Sequence, residues 1–303
     1  MSGIKSKREN NKGEKRVVKQ SKAYYWMVLP AFLIFFVFHT VPVFQGMIYS
    51  FTNYKGYGDF NFVGLKNYVN LFQDQRILAS YGFTFKFAIV STLLVNIISL
   101  AIAIGLNAKI KFQNTLRAVF FVPNILSVLI VGFIFNYLFA FFIPQIAEKL
   151  GITSLTQNIL GNPDLAWVGI VIVAVWQAVA FNTILYLAGL QTIPTELYEA
   201  ASLDGAGKWK SFKHITFPLI ASFFTINMVL AMKNFLMVFD HIIAMTNGGP
   251  GQSTEAISVL IYKGGFSGGE FAYQAANSVI YFILIVVISI LQIKFLQKRE
   301  VDM

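Results

Sequence analysis

The 303 residues are 56% hydrophobic and only 13% charged, with a mean hydropathy of +0.63, and a water-soluble fold cannot hide that much apolar surface. The net charge of +10 would suit nucleic acid, but the basic residues lie between and beside apolar runs rather than on one basic face, which excludes that use. Cysteine is absent and the histidines are His39, His214 and His241 alone, so no disulfide frame, thiolate metal site or histidine cluster is expected.

Residues 1–22 carry eight Lys or Arg against Glu9 and Glu14 with no apolar periodicity, and read as a basic tail without fixed structure. The run from Tyr24 to Tyr49 is too long for a signal-peptide core and lacks a small-residue cleavage site, so it reads as a retained first span. Five more apolar runs follow, near Phe83 to Leu106, Ala118 to Phe142, Ala166 to Leu190, Leu219 to Asp240 and Ala275 to Leu296. Each is about long enough to cross a bilayer core at 1.5 Å per residue. The fold class that follows is an all-α, polytopic membrane protein of six transmembrane helices. Pro30, Pro42, Pro123 and Pro144 fall in or at the ends of these helices and predict kinks.

Lys and Arg crowd the N-terminal tail, the second loop (Lys109, Lys111, Arg117), the fourth loop (Lys208, Lys210, Lys213) and the C-terminal tail (Lys294, Lys298, Arg299). The positive-inside rule therefore puts these segments, and both termini, in the cytoplasm of a multi-pass cell-membrane protein. The third and fifth loops carry only Lys149 and Lys263; the first, with Lys55, Lys66 and Arg76, follows the bias less cleanly. The organisation expected is a tail over 1–22, a first helix and extracytoplasmic loop over 23–80, and a core over 81–299 that contains a cytoplasmic loop at 191–218.

That loop, "PTELYEAASLDGAGKWKSFKHITFP", has helical periodicity yet cannot span. Leu197, Ala200 and Ala201 share one face of a first short helix, Glu196 and Glu199 complement its N-terminal end, and Gly205 can take the left-handed geometry that ends it. Trp209, Phe212 and Ile215 line up in a second. Helices of two turns are marginal alone, so a surface on this or another protein must hold them.

These residues resemble the cytoplasmic "EAA" loop of ABC importer permeases: Glu199, Ala200 and Ala201, then Gly205 with Asp204 before it, then Ile215 and Pro218, at the family spacing. Phe217 stands where the family usually has leucine. "FVGLKNY", "RAVFFVPNILS" and "TNGGPGQST", in that order along the chain, are similar to the carbohydrate-uptake branch related to the maltose permease. The resemblance implies a heterodimer with a second permease, two cytoplasmic ATPase subunits, an extracytoplasmic solute-binding protein and a sugar or oligosaccharide substrate. It also implies that Glu199 makes an ionic contact with the ATPase. The sequence has no G-x-x-x-x-G-K-[ST] phosphate loop, so the chain is not expected to be an enzyme, and ATP and Mg belong to the partner subunits. No cofactor or metal is expected on this chain.

Polar residues within spans are costly and should face protein or a water-filled path. Gln177 and Phe181 are i and i+4 on the fourth span; Asn227, Asn234 and Val238 share a face of the fifth with Phe235 beside it. Such a mixed face suits a sugar, whose hydroxyl edges take amides and whose ring faces take aromatics, and it is equally compatible with plain interhelical packing. Lys233 reads as a snorkelling or structural residue on the face of Asp240. Rival readings are an ABC permease for another solute, such as a glycerol phosphodiester or polyamine, an ion-coupled carrier, and a membrane anchor or sensor. The carrier would need ionisable groups in mid-membrane, and the spans hold almost none.

Overall fold

The computed structural model describes residues 23–108 and 111–298, and divides the chain into two compact units, Met1–Gly46 and Met47–Met303. The tail of 1–22, Lys109 and Arg299 lie outside the described residues. In the first unit, helix Ala23–Phe35 runs through a π turn, Phe36–Thr40, into a helix that begins at Val41. The described side chains of its apolar run are exposed, as suits a segment whose solvent is lipid.

The second unit is helical, with one isolated bridge, Thr52 to Phe62, among the described residues. Its longest element, Gln75–Asn107, is 33 residues and starts well before the expected Phe83. The reason is local: Asp74 caps it, Oδ1 accepting from the backbone N–H of Arg76 and Ile77. The helix lies along Ala166–Gln191, and the seam between them is built from small and polar residues that let the backbones approach. Tyr186 donates its hydroxyl to Asn96 Oδ1 at 2.6 Å, and Ser99 Oγ reaches the Val179 carbonyl at 3.4 Å. Apolar side chains fill the rest, with Phe87 edge-on to Phe235 at 6.0 Å.

Two expected spans are not single helices. The run from Ala118 to Phe142 is divided between Gln113–Ile125 and a helix that starts at Val128, with Leu126 and Ser127 extended between them. Periodicity could not show the break, because the apolar run continues across it with only Asn124 and Ser127 interposed. The second piece continues through a π turn to Lys149 and forms the span Val128–Lys149.

The fifth span is also interrupted. Lys208–Leu219 and Ala221–Leu236 meet at Ile220 with a bend of 69°. The helix stops at Leu236 rather than Asp240; Met237–Phe239 is not helical, and a separate short helix runs Asp240–Met245. Lys233 therefore sits in the last turn of its helix, and Asp240 opens a different one, so the expected shared face does not exist. The freed carbonyls of Leu236 and Val238 are taken by the hydroxyls of Tyr281 and Ser258. Asp240–Met245 is pressed against Val128–Tyr137, where a Cβ on Gly132 would lie 2.5 Å from Ala244 Cβ. The last span, Phe271–Gln297, begins four residues before the expected Ala275. Among the described residues five helices are long and apolar enough to cross a membrane, and six if the bent pair counts as one span.

Candidate functional site

The loop of 191–218 forms two helices as its periodicity predicts. The first, Thr195–Leu203, ends in a turn where the N–H of Gly205 reaches the Ser202 carbonyl at 3.1 Å and that of Ala206 reaches Ala201 at 2.9 Å. This six-to-one plus five-to-two pattern needs a left-handed residue at its corner, and Gly205 has φ +72°. Asp204 is the exposed C-cap beside it. A Cβ on Gly205 would meet nothing within 4 Å, so within this chain the glycine serves the backbone alone.

The loop has an inner and an outer side. Tyr198 and Ile215 face in, against a cluster that includes Leu106, Tyr186, Leu190 and Ile193. Tyr198 Oη and Thr216 Oγ1, 2.9 Å apart, join the two short helices. Pro218 lies half-buried one turn later, at the root of the 69° bend. Facing out are Glu199, Ala200, Asp204 and Gly205, with Ala201 half-buried, and the large apolar side chains Leu197, Leu203 and Trp209, of which Leu203 is 89% exposed and Trp209 73%. Trp209 stacks on Phe212 at 5.5 Å. The motif thus divides by role: Ile215 and Pro218 tie the loop to the bundle, while the Glu199 to Gly205 stretch is presented outward.

Within the bundle a cavity of about 440 Å³ lies between the two helix interruptions and the middle of the continuous helix Ala166–Gln191. Of the six residues singled out from the sequence, Gln177, Asn234, Phe235 and Val238 line it, and Phe181 and Asn227 do not. Phe181, one turn along the helix from Gln177, is exposed outside the cavity. Asn227 is fully buried, and neither of its side-chain polar atoms finds a partner among the described residues. Phe235 and Val238 are buried and form wall, whereas Asn234 is exposed to the cavity.

Gln177 is already spent. Its Nε2 donates to the carbonyls of Pro123 at 3.2 Å and Leu126 at 2.8 Å, and its Oε1 lies 3.1 Å from His241 Nε2. Those carbonyls are ones the break at Leu126 and Ser127 leaves without helical donors, so Gln177 repairs the break and orients His241. The polar groups that sequence reasoning missed are Asn124, Asp240 and His241, each contributed by a helix end at an interruption. The signal for two of them was the Asp-His pair, Asp240 and His241, at the end of the expected fifth span.

One further pair was not foreseen. Arg76 grips Glu255 with two bonds, Nε to Oε2 at 2.8 Å and Nη2 to Oε1 at 2.9 Å, and Glu255 is 3% exposed. This bidentate contact ties the start of the second span to the loop after "TNGGPGQST".

Residues 97–300 match the family described as "Binding-protein-dependent transport system inner membrane component". The chain is 36% identical over 281 residues to a Thermoanaerobacterium thermosulfurigenes protein named "Probable starch degradation products transport system permease protein AmyD", covering 92% of this chain and 96% of that one. It is 31% identical to the "sn-glycerol-3-phosphate transport system permease protein UgpA" of Yersinia pestis, with 91% and 94% covered. Its fold is similar to a chain of a bacterial ABC transporter involved in the import of alginate, with a TM-score of 0.80, 22% identity, and 93% and 97% covered. The readings as an ion-coupled carrier or a transport-free anchor fall with these matches. With five or six membrane-length apolar helices among the described residues and the spaced EAA loop, the chain belongs to the binding-protein-dependent inner membrane permeases, the membrane-spanning subunits of ATP-driven ABC importers.

Proposed function

We propose that this permease carries a sugar or oligosaccharide, delivered by an extracytoplasmic solute-binding protein, through the cavity at Asn234, and that its 191–218 loop docks into a cytoplasmic ATPase. A second homologous permease supplies the facing wall, and two ATPase subunits hold the ATP and Mg. Both termini lie in the cytoplasm, the side to which the basic loops point.

The observation that carries the reading is the two-sided loop. Its inner side is rooted in the bundle by Tyr198 and Ile215, while its outer side exposes Leu203 and Trp209, apolar groups that water does not favour and a partner's cleft would cover. Movement of that partner is passed through the root to the bend at Ile220, and thence to Ala221–Leu236, whose end carries Asn234 and Phe235. A rigid displacement of the loop thereby reshapes the cavity, as alternating access requires.

The cavity's chemistry favours a neutral solute. Its lining holds Asn124, Asn234, Asp240 and His241 with Phe235 and Phe239, and no Lys or Arg among the described residues. Amides and aromatic rings suit sugar hydroxyls and ring faces, whereas a phosphodiester would meet Asp240 without a compensating cation. A polyamine would require more than one carboxylate.

The test is ATP-dependent uptake into proteoliposomes holding the assembled transporter and its binding protein. A neutral oligosaccharide should accumulate, and glycerol 3-phosphate should not compete; competition by the phosphate ester and none by sugars would reassign the substrate. Orientation is read separately, on a chain that contains no cysteine. With cysteines placed at Ser6, Ser211 and Ser267, an impermeant thiol reagent outside intact cells should label only the last.

A further inference from the structure

A second concavity, of about 650 Å³, opens on the outer face of the bundle between Gln75–Asn107, Gln113–Ile125 and Ala166–Gln191. Among the described residues no lining side chain is charged; Ile98, Ile102, Val119, Phe120, Val175 and Trp176 form much of its walls. Along the second span it extends from Leu94 to Ile102, and Leu106 follows one turn later. Leu94 to Ile102 is about 12 Å at 1.5 Å per residue, most of the depth of one leaflet of a roughly 30 Å hydrocarbon core.

Arg117 stands at the Leu106 end. It precedes Phe120 by three residues on the same helix, and its Nη2 lies 3.4 Å from the Leu106 carbonyl. Capping the second span does not account for this arginine, because Gln113 Nε2 already holds that carbonyl at 2.6 Å. Arg117 Nε is closed off from solvent and has no partner among the described residues, and no carboxylate there pairs with the guanidinium. Lys111 is exposed nearby in sequence, over the ring of Phe112. A half-buried guanidinium with no carboxylate partner among the described residues, whose Nη2 makes one long contact to a carbonyl already held by Gln113, stands at the membrane-surface end of an apolar trough and matches an amphiphile with an anionic head.

We propose that this groove is a binding site for an anionic phospholipid, with an acyl chain lying along Ile98, Ile102 and Trp176 and the phosphate held by Arg117. The arginine belongs to the "RAVFFVPNILS" segment, whose helix ends in the Pro123 and Leu126 carbonyls bound by Gln177. Lipid in the groove would therefore brace the same interrupted helix that contributes Asn124 to the transport cavity.

The absence of native cysteine makes the test direct. A bimane fluorophore is attached at Ile172→Cys, on the groove wall, in the assembled transporter with cysteine-free partner subunits, and dibrominated lipids serve as quenchers. Dibrominated phosphatidylglycerol should quench at about fivefold lower mole fraction than dibrominated phosphatidylcholine, the ratio that one basic side chain at the membrane surface supports. Arg117→Gln should erase that ratio while leaving phosphatidylcholine quenching unchanged, and Arg117→Lys should retain most of it. Equal quenching by the two lipids in the otherwise unaltered chain would overturn the headgroup assignment. Failure of either lipid to quench would mean that a protein helix covers the groove, and would overturn the lipid site altogether.

Discussion

The 191–218 loop and the membrane cavity use polar and apolar residues in opposite ways. In the loop, the large apolar side chains Leu203 and Trp209 stand in the open, Trp209 with one face on Phe212, while the polar Tyr198 is tied to Thr216. In the cavity wall, Phe235 and Val238 are packed away and polar groups face the space, yet the most conspicuous of them, Gln177, is consumed by Pro123, Leu126 and His241. The surrounding solvent explains the contrast. Water tolerates an exposed amide and disfavours an exposed Trp, so a bare apolar group marks an interface; lipid disfavours an unpaired carbonyl, so an amide is first recruited to repair the backbone.

Mutations can break the comparison from either side. The largest effect is expected at Gly205→Val. A β-branched residue at φ +72° costs roughly 1–2 kcal/mol in backbone strain alone, and its bulk would also collide with a docked partner. Uptake should fall by about tenfold or more, with the chain inserted and the ATPase lost on co-purification. Normal transport with the ATPase retained would remove the loop from the coupling role. Glu199→Ala should give a milder form of the same defect, about 2 kcal/mol or less of interface stability, because the carboxylate is exposed in this chain.

On the membrane side, Gln177→Leu should lower folded yield and melting temperature, because two carbonyls lose their donor at about 1–3 kcal/mol each in unsatisfied burial. If it acted only on substrate affinity, the repair role assigned to it would be wrong. Asn234→Ala should do the reverse: unchanged melting and basal ATP hydrolysis, with half-maximal uptake shifted by a few-fold, as loss of about one exposed hydrogen bond allows. The smallest change is expected at Tyr198→Phe, which removes one bond between the short helices and about 0.5–1.5 kcal/mol. It should loosen coupling, raising ATP hydrolysed per solute moved, without loss of assembly.

The readability of these two regions also differs. The loop's turn was legible because its signals are local: acidic residues at the start, a glycine at the stop, a three-residue apolar spacing. The cavity was only half legible. Helical faces grouped Asn234, Phe235 and Val238 correctly in space but for a reason the structure does not support, since the helix ends at Leu236 and Val238 arrives through an unwound turn. Asn227 and Phe181 failed for the same cause: a span that is apolar on every side has no amphipathic face from which to read direction.

What the amino-acid sequence determined by itself is the membrane class, the number and rough place of the apolar runs, the basic side of the chain and the turn at Gly205. Each follows from composition or from neighbours within a few residues. Tertiary structure alone decided that two spans are broken, that Gln177 repairs one break, that Tyr281 and Ser258 repair the other, and that Arg76 reaches Glu255. In lipid every freed backbone group must find a partner, and these partners lie tens of residues away or more, beyond the reach of any local pattern.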